Sequence, residues 1–173
     1  MEIRELLATV PHPGRLCWVG LREHKRGPVQ VVSEVEAVAG LGLAGDRKAA
    51  GKPRPQGRRH VTLLQREYLA VIGALLGCEP VDPALLRRNL VVEGINLRAL
   101  HDRRFTIGEV VLEGTGDCHP CSRMEEALGP GGYQAMRGHG GLTARVLTGG
   151  TMYLGDEVLL LPDDDPDLPA VPI

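Results

Sequence analysis

TARVLTGGTMYLGDEVLLL, residues 143–161, decides the reading of the fold. Three apolar or β-branched runs, Thr143–Leu147, Met152–Leu154 and Glu157–Leu161, are each too short for a stable helix and are separated by Gly149-Gly150 and Gly155-Asp156. Runs of this length between glycine turns read as strands. Short strands punctuated in this way point to a compact, closed β-barrel.

Working outward, Phe105–Thr115 carries the next strand signal and Asn89–Glu93 another. Arg15–Arg22 and Val29–Val38 flank the turn-forming Glu23–Pro28 and read as an opening hairpin. Helices are few. Thr62 and Gln65 have the spacing of a capping box, so a helix is expected from Val61, with Leu64, Leu69, Ile72, Leu75 and Leu76 as its apolar face and Gly77 as its stop. A second, shorter helix is expected from Asp82 as N-cap and Pro83 at the first helical position, ending near Arg87 and Arg88. Gly40–Asp46 breaks regular structure, and the stretch on to Arg59 mixes Gly, Pro, Lys and Arg without periodicity, as a long functional loop does. The expected class is therefore mainly β, with a few peripheral α-helices. Residues 1–161 are expected to form a single domain, and the acidic, proline-rich tail 162–173 to be disordered.

The chain has 173 residues, 20 Lys and Arg against 22 Asp and Glu, 23 Gly and only 3% aromatics. That length suits one domain with one substantial core. A net charge of −2 offers no general attraction to nucleic acid or to an anionic membrane, so any anion binding has to be local. No apolar run approaches a membrane span or a signal core, which places the protein in the cytoplasm with reduced thiols. Cys17 and Cys78 sit in apolar or turn surroundings and read as small packed hydrophobes.

Asp117-Cys118-His119-Pro120-Cys121 holds the densest chemistry. Ser122 and Glu125 again have capping-box spacing, which starts a helix running to Leu128 and ended by Gly129-Pro130. Cys121 then lies beside unpaired backbone N–H groups at the positive end of that helix, where thiolate is favoured over thiol, and His119 and Arg123 add local positive charge. Three readings of the Cys-x-x-Cys pair stand: reactive sulfur able to form a disulfide between Cys118 and Cys121, two thiols buried at a strand-to-helix junction, or a zinc site. Zinc lacks a second cysteine pair and would draw on scattered His60, His119 and His139. Arg58, Arg59 and His60, and likewise Arg87, Arg88 and Asn89, could present donors to a phosphate or could be solvated turns. The glycine-rich segments 40–45, 129–132 and 138–141 permit close backbone approach or simply tight turns, and no Walker lysine or dinucleotide fingerprint accompanies them.

In order along the chain, Gly42-Leu43-Ala44-Gly45-Asp46, Arg59-His60-Val61-Thr62-Leu63, Arg87-Arg88-Asn89-Leu90, Pro120-Cys121, Gly140-Gly141 and Gly149-Gly150 with Gly155-Asp156 resemble the MOSC family, the molybdenum cofactor sulfurase C-terminal domain. The likeness runs from about Gly14 to Leu161. It implies a closed barrel of the MOSC and pyruvate kinase β-barrel kind, a cysteine that carries sulfur or ligates molybdenum, and a pterin-type molybdenum cofactor with a terminal phosphate. On that resemblance Cys121 is the family cysteine, the catalytic and metal-ligating residue, with Cys118 as an added thiol that could resolve a persulfide. Arg87, Arg88 and Asn89 would line the pocket, Arg59 and His60 would hold anionic groups, Gly45 and Asp46 would shape a wall, and His119 and Arg123 would flank the thiol. The family implies either a sulfur carrier or a molybdenum-dependent reductase of N-hydroxylated compounds, and a non-catalytic binding domain is the third reading. This chain reads as a stand-alone form: no pyridoxal phosphate site is evident, and it lacks ferredoxin-type cysteine spacing. A separate sulfur donor of the cysteine desulfurase kind, or an electron donor protein, is therefore expected as partner.

Overall fold

Strand residues that alternate between two environments curl this chain on itself. A computed structural model describes residues 2–163. A short helix α1 (Ile3–Ala8) precedes β1 (Gly14–Leu21), β2 (Gln30–Val32), β3 (Glu34–Val38) and the two-residue β4 (Gly42–Leu43). Next come β5 (Val61–Gln65), α2 (Glu67–Leu76), β6 (Leu90–Glu93), β7 (Arg104–Ile107) and β8 (Val110–Asp117). Helices α3 (Ser122–Leu128) and α4 (Gly132–Met136) lead to β9 (Leu142–Thr148), β10 (Gly150–Tyr153) and β11 (Glu157–Leu160).

Seven strands close the barrel in the order β1, β11, β7, β8, β9, β5, β6 and back to β1. Every neighbour pair is antiparallel except β5 with β6, which run parallel with Leu63 opposite Leu90. β2 extends the sheet on β1, and β10, β3 and β4 form a small second sheet. Inward side chains, among them Leu16, Leu63, Leu90, Val92, Phe105, Ile107, Leu112 and Val158, fill the barrel as one core. Each such side chain contributes about 1.5–3 kcal/mol when fully buried, so the barrel interior is the main source of stability. Closure also needs local bends: β8 shifts register between Gly114 and Gly116, where a Cβ on Gly114 would stand 2.0 Å from the Leu100 carbonyl.

A second core lies outside the barrel wall. Leu64 and Val91 point outward from β5 and β6 and meet Leu69 and Ile72 of α2, Leu86, Met124 of α3, and Ala135 and Met136 of α4. This corrects the expectation of a helix from Val61. Residues Val61–Gln65 are a strand, and the helix starts only at Glu67. A strand buried on both faces is apolar without alternation, so its run merges with the apolar face of the helix behind it. Gln65 makes no capping box; its Oε1 accepts from the Leu97 amide at 3.1 Å.

Other expectations are refined. Phe105–Thr115 is a hairpin, turned at Gly108 and Glu109 so that Ile107 pairs with Val110. Val29–Val38 breaks at Ser33, which leaves β2 on β1 and sends β3 to the second sheet. The element expected from Asp82 is a single 3-10 turn, Pro83–Leu86, capped by the Asp82 carboxylate on the Ala84 amide. Cys78, expected as a packed hydrophobe, is exposed just beyond α2. From residue 164 the expected tail lies outside the described residues. Among the described residues no helix is long and apolar enough to cross a membrane.

Candidate functional site

The loops at one barrel rim are joined by a buried polar network. Asn89 stands just before β6, and its Oδ1 accepts from the backbone N–H and the hydroxyl of Thr62 on β5, at 3.2 and 3.1 Å. Its Nδ2 donates to the Gly20 carbonyl and to Asp46 Oδ2. Asp46 in turn accepts from the Arg22 and Lys48 amides, at 3.1 and 3.0 Å, and so caps the 3-10 turn Arg47–Ala49. The side chains of Asp46 and Asn89 are therefore committed internally, and they hold β1, β5, β6 and the 46–49 turn in one arrangement.

Arg88 does the same for the cysteine segment. It is 4% exposed, and its guanidinium donates to three backbone carbonyls: Gly140 at 2.8 Å, Leu86 at 2.8 Å and Cys118 at 3.0 Å. A buried cation is tolerated where hydrogen bonds replace its hydration, and three carbonyl dipoles, one on each guanidinium nitrogen, supply them here. The approach is close enough that a Cβ on Gly140 would lie 2.1 Å from the Cys118 carbonyl oxygen, and one on Gly141, at φ +92°, would lie 1.9 Å from that of Leu63. Glycine at both positions is what lets β8, β9 and β5 meet beside Cys118.

Cys118 and Cys121 end up in different surroundings. Cys118 is 1% exposed, and its Sγ accepts a hydrogen bond from Arg59 Nη2 at 3.1 Å. Cys121 is exposed at the N-cap of α3, and the two thiols are free, with no disulfide between them. The expected capping box at Ser122 is absent: no side chain caps α3, and Glu125 instead accepts from the Gly131 and Tyr133 amides, which ties α3 to α4 and lowers the pKa of its carboxyl. Cys17 is a half-buried spectator on β1, and burial pushes its thiol up to about 11.

Around Cys121 the rim opens into a cleft of about 490 Å³. Seven cations line it (Arg22, Arg47, Lys48, Arg59, Arg87, Arg88 and Arg123) against two carboxylates, Asp46 and Asp117. One carboxylate is spent in the network above and the other pairs with Arg98 at 2.7 Å. Arg87, with φ +59° just after the Pro83–Leu86 turn, has no hydrogen-bond or ion-pair partner among the described residues. Burial, then the charge of Arg123, work against its ionisation. The Lys48 ammonium is held down to about 8, first by burial and then by Arg59. The cleft therefore carries positive charge that the protein leaves largely uncompensated, in a molecule whose net charge is −2.

The MOSC domain family matches residues 44–159, more than half of the sequence, and this span holds the cysteine segment and the loops lining most of the cleft. The chain belongs to the MOSC domain family. No curated protein matches it. Among solved structures, the MOSC domain here is similar to the YuaD protein from Bacillus subtilis, at 19% identity over 86% of this chain and 96% of that one, with TM-score 0.73. It is also similar to YiiM from Escherichia coli (20% identity, 86% and 70% covered, TM-score 0.62) and to YiiM from Geobacillus stearothermophilus (14%, 91% and 80%, TM-score 0.67). At these identities the likeness is one of fold.

This MOSC domain gathers most of the residues singled out in its sequence. Asp46, Arg59, Arg87, Arg88, Asn89, His119, Cys121 and Arg123 all line the cleft, with Cys118 just behind its wall. Gly45 and His60 do not line it. The His60 ring is used by the backbone: Nδ1 accepts from the Val146 amide at 3.0 Å, and Nε2 lies 2.9 Å from the Arg54 carbonyl. The Val146 amide donating to Nδ1 places the ring proton on Nε2, toward the Arg54 carbonyl, and burial holds the ring's pKa below the ordinary value. Sequence reasoning missed Arg22, Arg47, Lys48 and Thr62. Their only local signal is a pair of cations directly after Gly45-Asp46, and only the closed barrel brings Arg22 beside them.

Proposed function

We propose that this MOSC domain binds a phosphorylated, pterin-type molybdenum cofactor in its cationic cleft and uses Cys121 as the sulfur-bearing or metal-ligating thiolate. The observation that carries this reading is the convergence of seven cations and one exposed thiol in a single cleft of about 490 Å³, within the usual range for a small-molecule site. The residues fit the group. Arg87 and Arg47 have side-chain N–H donors without partners among the described residues, as a phosphate requires. No three His, Cys, Asp or Glu side chains cluster as a metal site among the described residues, so Cys121 would be the one sulfur ligand from the cleft and the cofactor would bring the others. Bound there, the group would supply a redox-active, sulfur-binding metal. Arg87 and Arg47 would hold the phosphate, Arg88 and Arg59 would fix the wall behind Cys121, and Arg123 would orient toward the anion beside the thiol.

The exposure of Cys121 at the rim favours sulfur carriage. Its thiolate would attack the outer sulfur of a persulfide on a separate cysteine desulfurase-like donor; the donor's S–S bond breaks, the donor leaves as thiolate, and Cys121 keeps the persulfide. The position of the same thiol inside the cation-lined cleft equally favours a metal-ligand role in a reductase of N-hydroxylated compounds, supplied by a separate electron donor protein.

Intact-mass spectrometry and molybdenum analysis on protein purified without reductant from a cofactor-producing host test both. Stoichiometric molybdenum lost in Cys121→Ala means a cofactor enzyme. A sulfur-sized increment on Cys121 without metal means a carrier. If neither signal appears, the proposal falls and a non-catalytic binding domain replaces it. Because Cys121 is exposed, Cys121→Ala is expected to keep the fold while losing the signal.

A further inference from the structure

Three of the cleft's cations face two cavities. Arg47, Lys48 and Arg59 line the cleft on one side and, on the other, an outer groove of about 410 Å³ completed by Arg54, Gly57, Arg58 and His60. Five of those residues are cationic at neutral pH and none is acidic, in a chain whose acids outnumber its bases. The His60 ring is taken up by the Val146 amide and the Arg54 carbonyl, and Asp46 nearby already accepts from two amides and from Asn89. The cations keep donors to spare. Arg54 makes one long bond to the Lys48 carbonyl at 3.4 Å, Arg59 one to Cys118 Sγ, and Arg58 one to the Thr115 carbonyl, while the Arg47 and Lys48 side chains have none among the described residues. Like charges crowded without a carboxylate raise the free energy of the folded chain unless an external anion sits among them.

We infer that the cleft and the outer groove form one site for a ligand with two linked phosphoryl groups, the diphosphate bridge lying across Arg47, Lys48 and Arg59. Two separate anions would compete for the same three cations, whereas a covalent bridge lets both phosphoryl groups share them. Both cavities are concave and of small-molecule size, unlike the broad, shallower patch that an acidic protein segment would cover. The ligand class is therefore a small-molecule diphosphate whose second phosphoryl group lies toward the outer groove. This rests on the anion-binding reading of the cleft but goes beyond it, since a monophosphate would leave the outer groove unused.

Calorimetry on the full chain at constant ionic strength tests it with inorganic phosphate, inorganic pyrophosphate and an oligo-aspartate peptide. Pyrophosphate is expected to bind at least about tenfold more tightly than phosphate, the increment of one further charge-assisted contact. Arg54→Gln should weaken pyrophosphate about fivefold and leave phosphate unchanged, whereas Arg87→Gln should weaken phosphate. Arg54 is exposed, and unaltered thermal unfolding of Arg54→Gln would exclude a folding defect; Arg47→Gln, at a residue shared by the two cavities, is the second variant and is expected to weaken pyrophosphate most. Equal affinity for the two anions, with no effect of Arg54→Gln, overturns the diphosphate site and leaves the cleft reading intact. Phosphate that binds without dependence on Arg87, or not at all, removes the cleft reading as well. Peptide binding stronger than pyrophosphate and lost in Arg54→Gln overturns the inference in favour of protein docking.

Discussion

Lys48 is where the charge crowding of the cleft becomes measurable. Its ammonium titrates at about 8 instead of 10.5, because burial and Arg59, with Arg47, outweigh Asp46 and Cys118. Below about 8 folded and unfolded chains are both protonated there and the folded chain bears the whole penalty. Between about 8 and 10.5 the folded chain has shed the proton first, so this residue makes stability rise with pH across that window. An anion beside Lys48 reverses the shift. Phosphate binding near pH 8 is expected to take up protons and to weaken as pH rises through about 8; calorimetry in two buffers of different ionisation heat measures the uptake, and Lys48→Met should abolish it. Proton release on binding would rule this out. Arg88 makes a different prediction. Arg88→Met would strand the Gly140, Leu86 and Cys118 carbonyls in a buried wall, at a cost of about 3 kcal/mol or more in urea unfolding. Arg88→Lys should recover only part of this, since an ammonium cannot span three carbonyls as a planar fork does.

At the scale of elements, two junctions matter most. The first is the contact of β9 with the cysteine segment through Gly140 and Gly141. Gly140→Ala puts a methyl 2.1 Å from the Cys118 carbonyl oxygen, so the backbone has to separate and the Arg88 clamp with it. A loss of about 2–4 kcal/mol is expected, with iodoacetamide labelling of Cys118, which is buried in the parent, as the local readout. If Gly140→Ala unfolds at the parent's denaturant concentration and Cys118 stays unlabelled, this junction is not what holds the wall. The second is β5, whose Leu63 faces the barrel core and whose Leu64 faces α2 and α3. The two-sided burial that supports the cleft is also what hid this strand: an apolar face with period 3.6 and a doubly buried strand give the same short apolar run. The strands β9 and β11, by contrast, were legible because glycine turns bracket them. The start of α3 at Ser122 was legible too, although Glu125, read as a capping partner, bonds forward to α4 instead.

The whole molecule separates its charge, with a net −2 overall and a cation-lined rim. Attraction of an anion to that rim is screened by salt. Phosphate affinity is expected to fall by about threefold or more when ionic strength rises from about 0.05 to about 0.3 M, and a salt-independent affinity would mean that charge is not what the cleft supplies. What the sequence by itself determined is local: the short strands, their glycine turns, and the placing of Cys121 at the head of a helix beside Arg123. These follow from backbone preferences and side-chain period within a few residues. Tertiary structure alone decided which of the noted residues face a ligand. Asp46, Asn89 and His60 spend their polar atoms on other chain segments, while Arg22 and Lys48, without motif or period, reach the cleft because barrel closure brings the end of β1 against the 46–49 turn. Such convergence depends on strand pairings between residues far apart in the chain, and no local pattern encodes which side of a residue those pairings will leave open.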